Sequence, residues 1–74
     1  MLTTIATLLR LIPRDVTVIC GSQAISLSYA QRSPRGRCTA HADLPYELAP
    51  EAARERVSHF RFHVARLRYR ASRS

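Results

Sequence analysis

The first residues of the chain carry apolar side chains at helical spacing. They recur at steps of three and four, which places them on one face of a helix. These residues are Leu2, Ile5, Leu8, Leu9 and Ile12. Pro13 ends the pattern, because proline lacks the N–H that a continuing helix needs. The spacing therefore predicts a helix over residues 2–12.

Strand-like patterns replace the helical one from residue 15. Residues 15–20 are rich in β-branched side chains, and Gly21-Ser22 is typical of a two-residue hairpin turn in which Gly21 takes a positive φ. Residues 23–31 then alternate between apolar and polar, which predicts a strand with one buried and one solvated face. The expected buried side chains are Ile25, Leu27 and Tyr29, and the solvated ones include Ser26 and Ser28.

A third strand is predicted over residues 37–44. Residues 32–37 have the composition of a turn and carry three arginines. After them, Cys38, Ala40, Ala42 and Leu44 alternate with polar residues. Because the connections are short, the three strands should form an antiparallel meander.

A long helix is predicted over residues 50–71. Pro50 suits a first helical position, and no later residue breaks the helix. One stripe steps by four and three and should face the sheet. Its members are Ala53, Val57, Phe60, Val64 and Leu67. The chain, residues 1–74, is thus expected to be a single α+β domain of order α-β-β-β-α, with the long C-terminal helix packed on the sheet.

Helix length sets a further expectation. About 21 helical residues span roughly 32 Å, whereas a six-residue strand spans about 20 Å. The last two or three turns of the helix should therefore extend beyond the sheet.

Composition and charge narrow the class of protein. The chain has 74 residues, 46% of them hydrophobic, and 12 Lys+Arg against 5 Asp+Glu. Such an apolar content excludes a disordered basic tail, and a chain this short allows one small domain. The apolar start is interrupted by Arg10 and Pro13, so it suits neither a membrane span nor a signal peptide. We expect a cytoplasmic protein.

The positive charge is concentrated near the C terminus. All twelve basic residues are arginine, which codon bias can explain, but no acid follows Glu55. A one-signed surface of this kind attracts anionic partners. Arginine and aromatic residues also dominate interface hot spots. The predicted contacts are Arg61, Phe62, Arg66, Tyr69 and Arg70, with Arg32, Arg35 and Arg37 as a second patch.

Two interpretations of this aromatic patch remain open at this point. Phe62, Ala65 and Tyr69 lie nearly opposite the buried stripe. They are either covered by the first helix or exposed for docking.

No group of residues predicts catalysis, a metal or a cofactor. His59 and His63 share a helix face, but Cys20 and Cys38 are spaced too widely for a zinc finger. We expect two buried thiols in a reducing compartment, with a disulfide possible only if the two strands are neighbours. The chain is not expected to be an enzyme.

Two resemblances bear on function. The order α-β-β-β-α is similar to that of double-stranded RNA-binding domains, although the helix start at residues 50–55 is partly acidic and only Arg54 and Arg56 match their basic cluster. In size and build the chain also resembles small phage and mobile-element proteins, anti-CRISPR proteins among them. This implies an inhibitor or regulator of a host complex with an acidic surface. Direct binding of RNA or DNA is the alternative, and a homodimer is a third.

Overall fold

Two helices and a three-stranded antiparallel sheet form the predicted α-β-β-β-α arrangement. The computed structural model describes the backbone of residues 2–34 and 36–73, and the side chains of residues 6–32, 34 and 36–73. The elements are α1 (Leu2–Leu9), β1 (Thr17–Cys20), β2 (Ala24–Ser33), β3 (Gly36–Pro45) and α2 (Pro50–Arg73). The strands lie in the order β1-β2-β3.

The first helix is shorter than its apolar pattern predicts. It ends at Leu9 rather than Ile12. The N–H groups of Leu11 and Ile12 donate three residues back, to the carbonyls of Leu8 and Leu9. Pro13 explains the early end, because the residue before a proline is disfavoured in the helical conformation. The chain then turns through a hydrogen bond from the Val16 N–H to the Pro13 carbonyl, so β1 starts two residues later than expected.

The first hairpin turn is displaced by one residue from its predicted position. The Gly21 N–H donates to the carbonyl of Ala24 at 2.9 Å, so the turn consists of Ser22 and Gln23. Gly21 therefore belongs to the pairing that flanks the turn. Among the described glycines, Gly36 is the one with a positive φ, at 124°.

The second hairpin is longer and its turn tighter than predicted. Ser33 pairs with Gly36, so Arg32 and Arg37 lie in the strands, opposite each other. Arg35, the third arginine of the expected patch, lies outside the described residues. Each of β2 and β3 has ten residues.

The core lies between α2 and one face of the sheet. All five residues of the predicted helix stripe are buried, as are Ile25, Leu27 and Tyr29 of β2. Ala40 and Leu44 of β3, with Leu8 and Val16, complete it. The other sheet face is open to solvent, where the Ser26 hydroxyl donates to the Asp43 carboxylate at 3.1 Å.

Both cysteines are exposed and free, so the expectation of buried thiols is wrong. Cys20 pairs with Ile25 and Cys38 pairs with Gln31, on opposite sides of β2. Six strand residues separate these positions by about 20 Å. A disulfide between Cys20 and Cys38 is therefore impossible in this fold.

The helix extends beyond the sheet by less than expected. Leu67 is still buried, and Arg68 still contacts the sheet through the ring of Tyr29, 5.7 Å away. The reason is that β2 and β3 are longer than the six residues assumed for a strand. Only about the last turn and a half of α2, from Tyr69 to Arg73, extends past these contacts.

Candidate binding surface on the C-terminal helix

The helix α2 presents a continuous solvent-facing ridge opposite its buried stripe. Successive helical residues are about 100° apart, so Arg66 and Tyr69 lie within about 40° of Phe62 around the axis. Ala65 lies beside them. These four residues, Phe62, Ala65, Arg66 and Tyr69, are here named the crest.

The crest is exposed rather than covered by α1. Phe62 is 64% exposed and Tyr69 is 60% exposed, whereas the neighbouring Phe60 is 2% exposed. Leu8 of α1 is buried in the core, so the first helix packs at the core and leaves the crest open. Pro13, in the connection after α1, lines a hollow of about 360 Å³ together with residues of α2 that include Arg61 and Phe62, and it is the one described residue outside α2 that does so. The exposed alternative is therefore the one that this fold adopts.

Three arginines of α2 are held by contacts within the chain. Arg56 donates to the backbone carbonyl of Asp43 at 2.9 Å. Arg68 forms an ion pair with Asp15, and its guanidinium lies over the ring of Tyr29. Arg73 donates to the Tyr69 hydroxyl at 2.8 Å.

Arg68 has a structural role that the sequence does not reveal. Desolvation lowers the pKa of its guanidinium, but hydrogen bonds to Tyr29 and Asp15 and the charge of Asp15 raise that pKa above its ordinary value overall. It ties the loop before β1 to α2. Its partner Asp15 is 53 residues away in the chain, so no local spacing predicts the contact.

The remaining cations of the ridge have no acidic partner in the described part of the chain. Across residues 2–34 and 36–73, Arg68–Asp15 is the one ion pair formed. The exposed arginines that take no part in this ion pair include Arg61, Arg66 and Arg70. Their charge is therefore available to an anionic partner.

The predicted contact residues do not all lie on one surface. Arg66 belongs to the crest. Measured around the helix axis from Phe62, Arg61 lies about 100° to one side of the crest and Arg70 about 80° to the other. A flat partner can reach the crest with one flank, and a concave partner can reach both.

Arg73 belongs to the same surface, although it was not among the predicted contacts. Its guanidinium lies 5.6 Å from the centre of the Tyr69 ring and hydrogen-bonds the Tyr69 hydroxyl. The Ser72 hydroxyl donates to the Tyr69 carbonyl at 2.8 Å. The spacing of Tyr69 and Arg73, four residues on a helix, is the signal that could have revealed this contact. The two contacts with Arg73 orient the tyrosine ring, whereas the Ser72 bond reaches only the backbone of Tyr69.

The second predicted patch lies elsewhere. By strand alternation, Arg32 and Arg37 share the open sheet face with Ser28 and His41, whereas α2 covers the other face. The structure therefore does not bring this patch together with the crest. The two arginines face each other across the hairpin, an arrangement that like charges disfavour.

A groove of about 720 Å³ runs between β3 and α2. All three histidines of the chain, His41, His59 and His63, line it together with Asp43 and Glu55. Within the residues that the structure describes, no three histidine, cysteine or acidic side chains are grouped so as to hold a metal ion.

Comparison of the chain with protein-family models, with curated proteins and with solved structures found no match. Neither helix, over the ranges described, is both long and apolar enough to cross a membrane.

Proposed function

We propose that this protein is a non-enzymatic binding protein that docks through the crest of α2 on an acidic surface of a larger protein or nucleoprotein complex. The observation that carries the proposal is the exposure of Phe62 and Tyr69 beside arginines that have no acidic partner among the described residues. Aromatic and arginine side chains are the residues that most often carry the binding energy of protein interfaces.

Two features of Tyr69 and Phe62 suit them to this task. The hydrogen bond and ring contact with Arg73 hold the Tyr69 ring in place, so less side-chain freedom is lost when a partner covers it. Phe62 supplies apolar area without a polar group that needs a partner. The two rings lie about two turns apart, a separation of roughly 10 Å along the helix.

The proposed biological role is inhibition or regulation of a host complex by a bacterial, phage or mobile-element protein of anti-CRISPR type. The mechanism is steric: the crest covers a surface that the complex needs, and the arginines steer the encounter. The proposed setting is the cytoplasm, where the exposed thiols of Cys20 and Cys38 stay reduced. A homodimer through the crest is less favourable, because it brings like-charged arginines together.

Direct nucleic-acid binding is the second candidate. The alternation of exposed aromatic rings with arginines on one ridge also suits base stacking combined with phosphate contacts. The two candidates differ in salt dependence, because each phosphate contact releases counterions. A mobility-shift assay with single- and double-stranded RNA and DNA, from 50 to about 200 mM salt, separates them. Binding that weakens steeply with salt supports direct nucleic-acid binding. If no binding is detected, this candidate function is excluded.

The decisive experiment is a comparison of two double variants in capture from a bacterial lysate, with and without nuclease. Phe62→Ala with Tyr69→Ala removes the crest rings, while Leu11→Ala with Ile19→Ala removes two exposed apolar side chains that lie elsewhere. The proposal predicts a nuclease-resistant partner that the control retains and the crest variant loses by at least about tenfold. Equal capture by both variants, at native circular dichroism, contradicts it.

A further inference from the structure

The outer edge of β3 is a long strand edge with no neighbouring strand in the described chain. β3 is last in the order β1-β2-β3, and its ten residues pair with β2 without a bulge. The opposite edge, β1, has only four residues. The free backbone groups of the sheet are therefore concentrated along β3.

The register identifies which groups of β3 point outward. The Tyr46 N–H donates to the Gln23 carbonyl at 3.0 Å, which continues the β2–β3 register by one pair. Bonded and non-bonded pairs alternate along antiparallel strands, so the even-numbered residues of β3 bond β2. The outward residues are Arg37, Thr39, His41, Asp43 and Pro45. Pro45 agrees with this assignment, because its missing N–H lies on the unpaired side.

This edge is long and regular, and only part of it is protected against strand pairing. Natural edges are blunted by charged side chains, proline, bulges, short length or a covering helix. Arg37 and Pro45 lie at the two ends of the edge and Asp43 lies between them, but the strand has ten residues and pairs with β2 without a bulge. Among the hydrogen bonds of the described residues, the one from Arg56 to the Asp43 carbonyl reaches the edge from outside. A carbonyl oxygen accepts two hydrogen bonds, so a second donor can still reach it.

We propose that β3 pairs antiparallel with β3 of a second copy, with Ala40 opposite Ala40, so that two chains share one six-stranded sheet. In this register the outward groups of Arg37 meet those of Asp43, and those of Thr39 meet those of His41, on both sides of the two-fold axis. Isologous contacts of this kind are the commonest way in which identical chains associate.

Charge complementarity selects the second copy and this register. Arg37 of each copy lies opposite Asp43 of the other, so two opposite-charge pairs form on the open sheet face. A shift of two residues, to the next outward position in either direction, puts Arg37 opposite His41 or Pro45 instead. The pairing also supplies a counter-ion to an arginine that otherwise faces Arg32 across its own hairpin.

The groove beside the edge is wide enough for a strand of a second copy, and few charged side chains line it. Two of the β3 residues that face α2 are the small Ala40 and Ala42, and the groove measures about 720 Å³. Apart from its three histidines, the ionisable residues that line the groove are Asp43, Glu55 and Arg56. One cation against two acids contrasts with the net +7 of the whole chain. An anionic partner is therefore attracted to the crest and its flanking arginines rather than to this groove.

The proposed pairing goes beyond the docking function and does not depend on it. The crest points away from the sheet, so pairing at β3 leaves it exposed. Both copies of α2 then lie on the same side of the six-stranded sheet. A dimer with two crests on one side can bind a repeated or extended surface with higher avidity than one chain.

Sedimentation equilibrium of the whole chain tests the dimer directly. Runs at pH 8 and moderate salt, from about 5 to 500 µM, cover the range of small reversible interfaces. The proposal predicts a mass that rises from 8.4 kDa towards twice that value. A wild-type chain that stays monomeric at the highest concentration overturns the proposal. An extended peptide of another protein is then the remaining candidate for pairing with this edge.

Charge reversal tests the register. Arg37→Asp places acid opposite acid in a homodimer, and Asp43→Arg places arginine opposite arginine. Each variant alone should dimerise at least tenfold more weakly than the wild type, and an equimolar mixture should recover the dimer because its pairs are again of opposite charge. Single variants that dimerise as the wild type does, or a mixture that stays monomeric, contradict this register.

A backbone variant separates edge pairing from other contacts. His41→Pro removes an outward N–H and leaves the bonds to β2 intact, so the fold should be retained by circular dichroism while dimerisation is lost. Folded His41→Pro protein that still dimerises as the wild type does overturns pairing through β3. Because the crest is not altered, capture of a partner by Phe62 and Tyr69 is scored separately.

Discussion

Phe60 and Phe62 are two residues apart on the same helix and have opposite environments. Phe60 is 2% exposed and packs in the core between α2 and the sheet, whereas Phe62 is 64% exposed on the crest. The same side chain therefore contributes in two ways. At position 60 its burial stabilises the fold, and at position 62 it leaves apolar area free for another molecule.

Exposure alone does not mark a residue as part of the proposed binding surface. Single exposed apolar residues are normal on soluble proteins. What distinguishes the crest is that two aromatic rings share one ridge with arginines that have no acidic partner in the described chain. The buried stripe of α2 holds the helix in place, and the crest is thereby presented on a rigid element.

The largest expected effect comes from truncating the buried ring. Phe60→Ala should destabilise the domain by about 3–5 kcal/mol, because it leaves a cavity in the core. For a domain of this size that is a large fraction of the free energy of unfolding. Urea unfolding followed by circular dichroism measures the change.

The matched change on the other face should have little effect on stability. Phe62→Ala should change the free energy of unfolding by less than about 0.5 kcal/mol, since it removes an exposed side chain and alanine favours helix. If both variants lost equal stability, the two faces would not differ as described.

Enlarging an alanine on each face sharpens the comparison. Ala53 is 6% exposed, so Ala53→Leu overfills the core and should cost about 1–3 kcal/mol. Ala65 is exposed on the crest, so Ala65→Leu should be close to neutral. Thermal unfolding of the two variants side by side gives the result, and a large loss for Ala65→Leu would show that the crest is packed.

Arg68 lies at the border between the two faces, and a smaller effect is expected there. Arg68→Met removes the ion pair with Asp15 and the contact with Tyr29. Both groups of the pair are about half exposed, so solvent screening limits the loss to about 1 kcal/mol. A double-mutant cycle with Asp15→Asn isolates the coupling, and a loss above about 3 kcal/mol would indicate a buried pair instead.

The smallest effects are expected on the sheet. Cys20 and Cys38 are both exposed, so Cys20→Ser and Cys38→Ser should each leave the free energy of unfolding within about 0.5 kcal/mol of the wild type. Both thiols should react with a disulfide reagent in the folded protein. Slow reaction of either thiol, at the rate of unfolding, would contradict their exposure.

Periodicity predicts α2 and β2 well because each of these elements packs against one neighbouring layer and exposes its other face to solvent. The stripe from Ala53 to Leu67 is buried as its spacing requires, and so are Ile25, Leu27 and Tyr29. The end of α1, in contrast, depends on the backbone restriction that Pro13 imposes on Ile12. A count of apolar positions does not contain that restriction.

The cysteines and the second patch show what pattern alone leaves undetermined. Cys38 shares the strand face of the buried Ala40 and Leu44, yet it is exposed, so a place on the covered side of the sheet does not guarantee burial. Arg32 and Arg37 were expected in a turn, but the register extends both strands through them. Whether Phe62 and Tyr69 are exposed depends on where α1 packs, which local spacing does not determine.

The proposed role of the crest is tested most directly by measuring both the stability and the binding of the variant with Phe62→Ala and Tyr69→Ala. We predict a free energy of unfolding within about 1 kcal/mol of the wild type, with capture of the partner reduced at least about tenfold. The control with Leu11→Ala and Ile19→Ala should capture the partner as the wild type does. Undiminished capture by the folded crest variant would contradict the assignment of the crest as the binding surface.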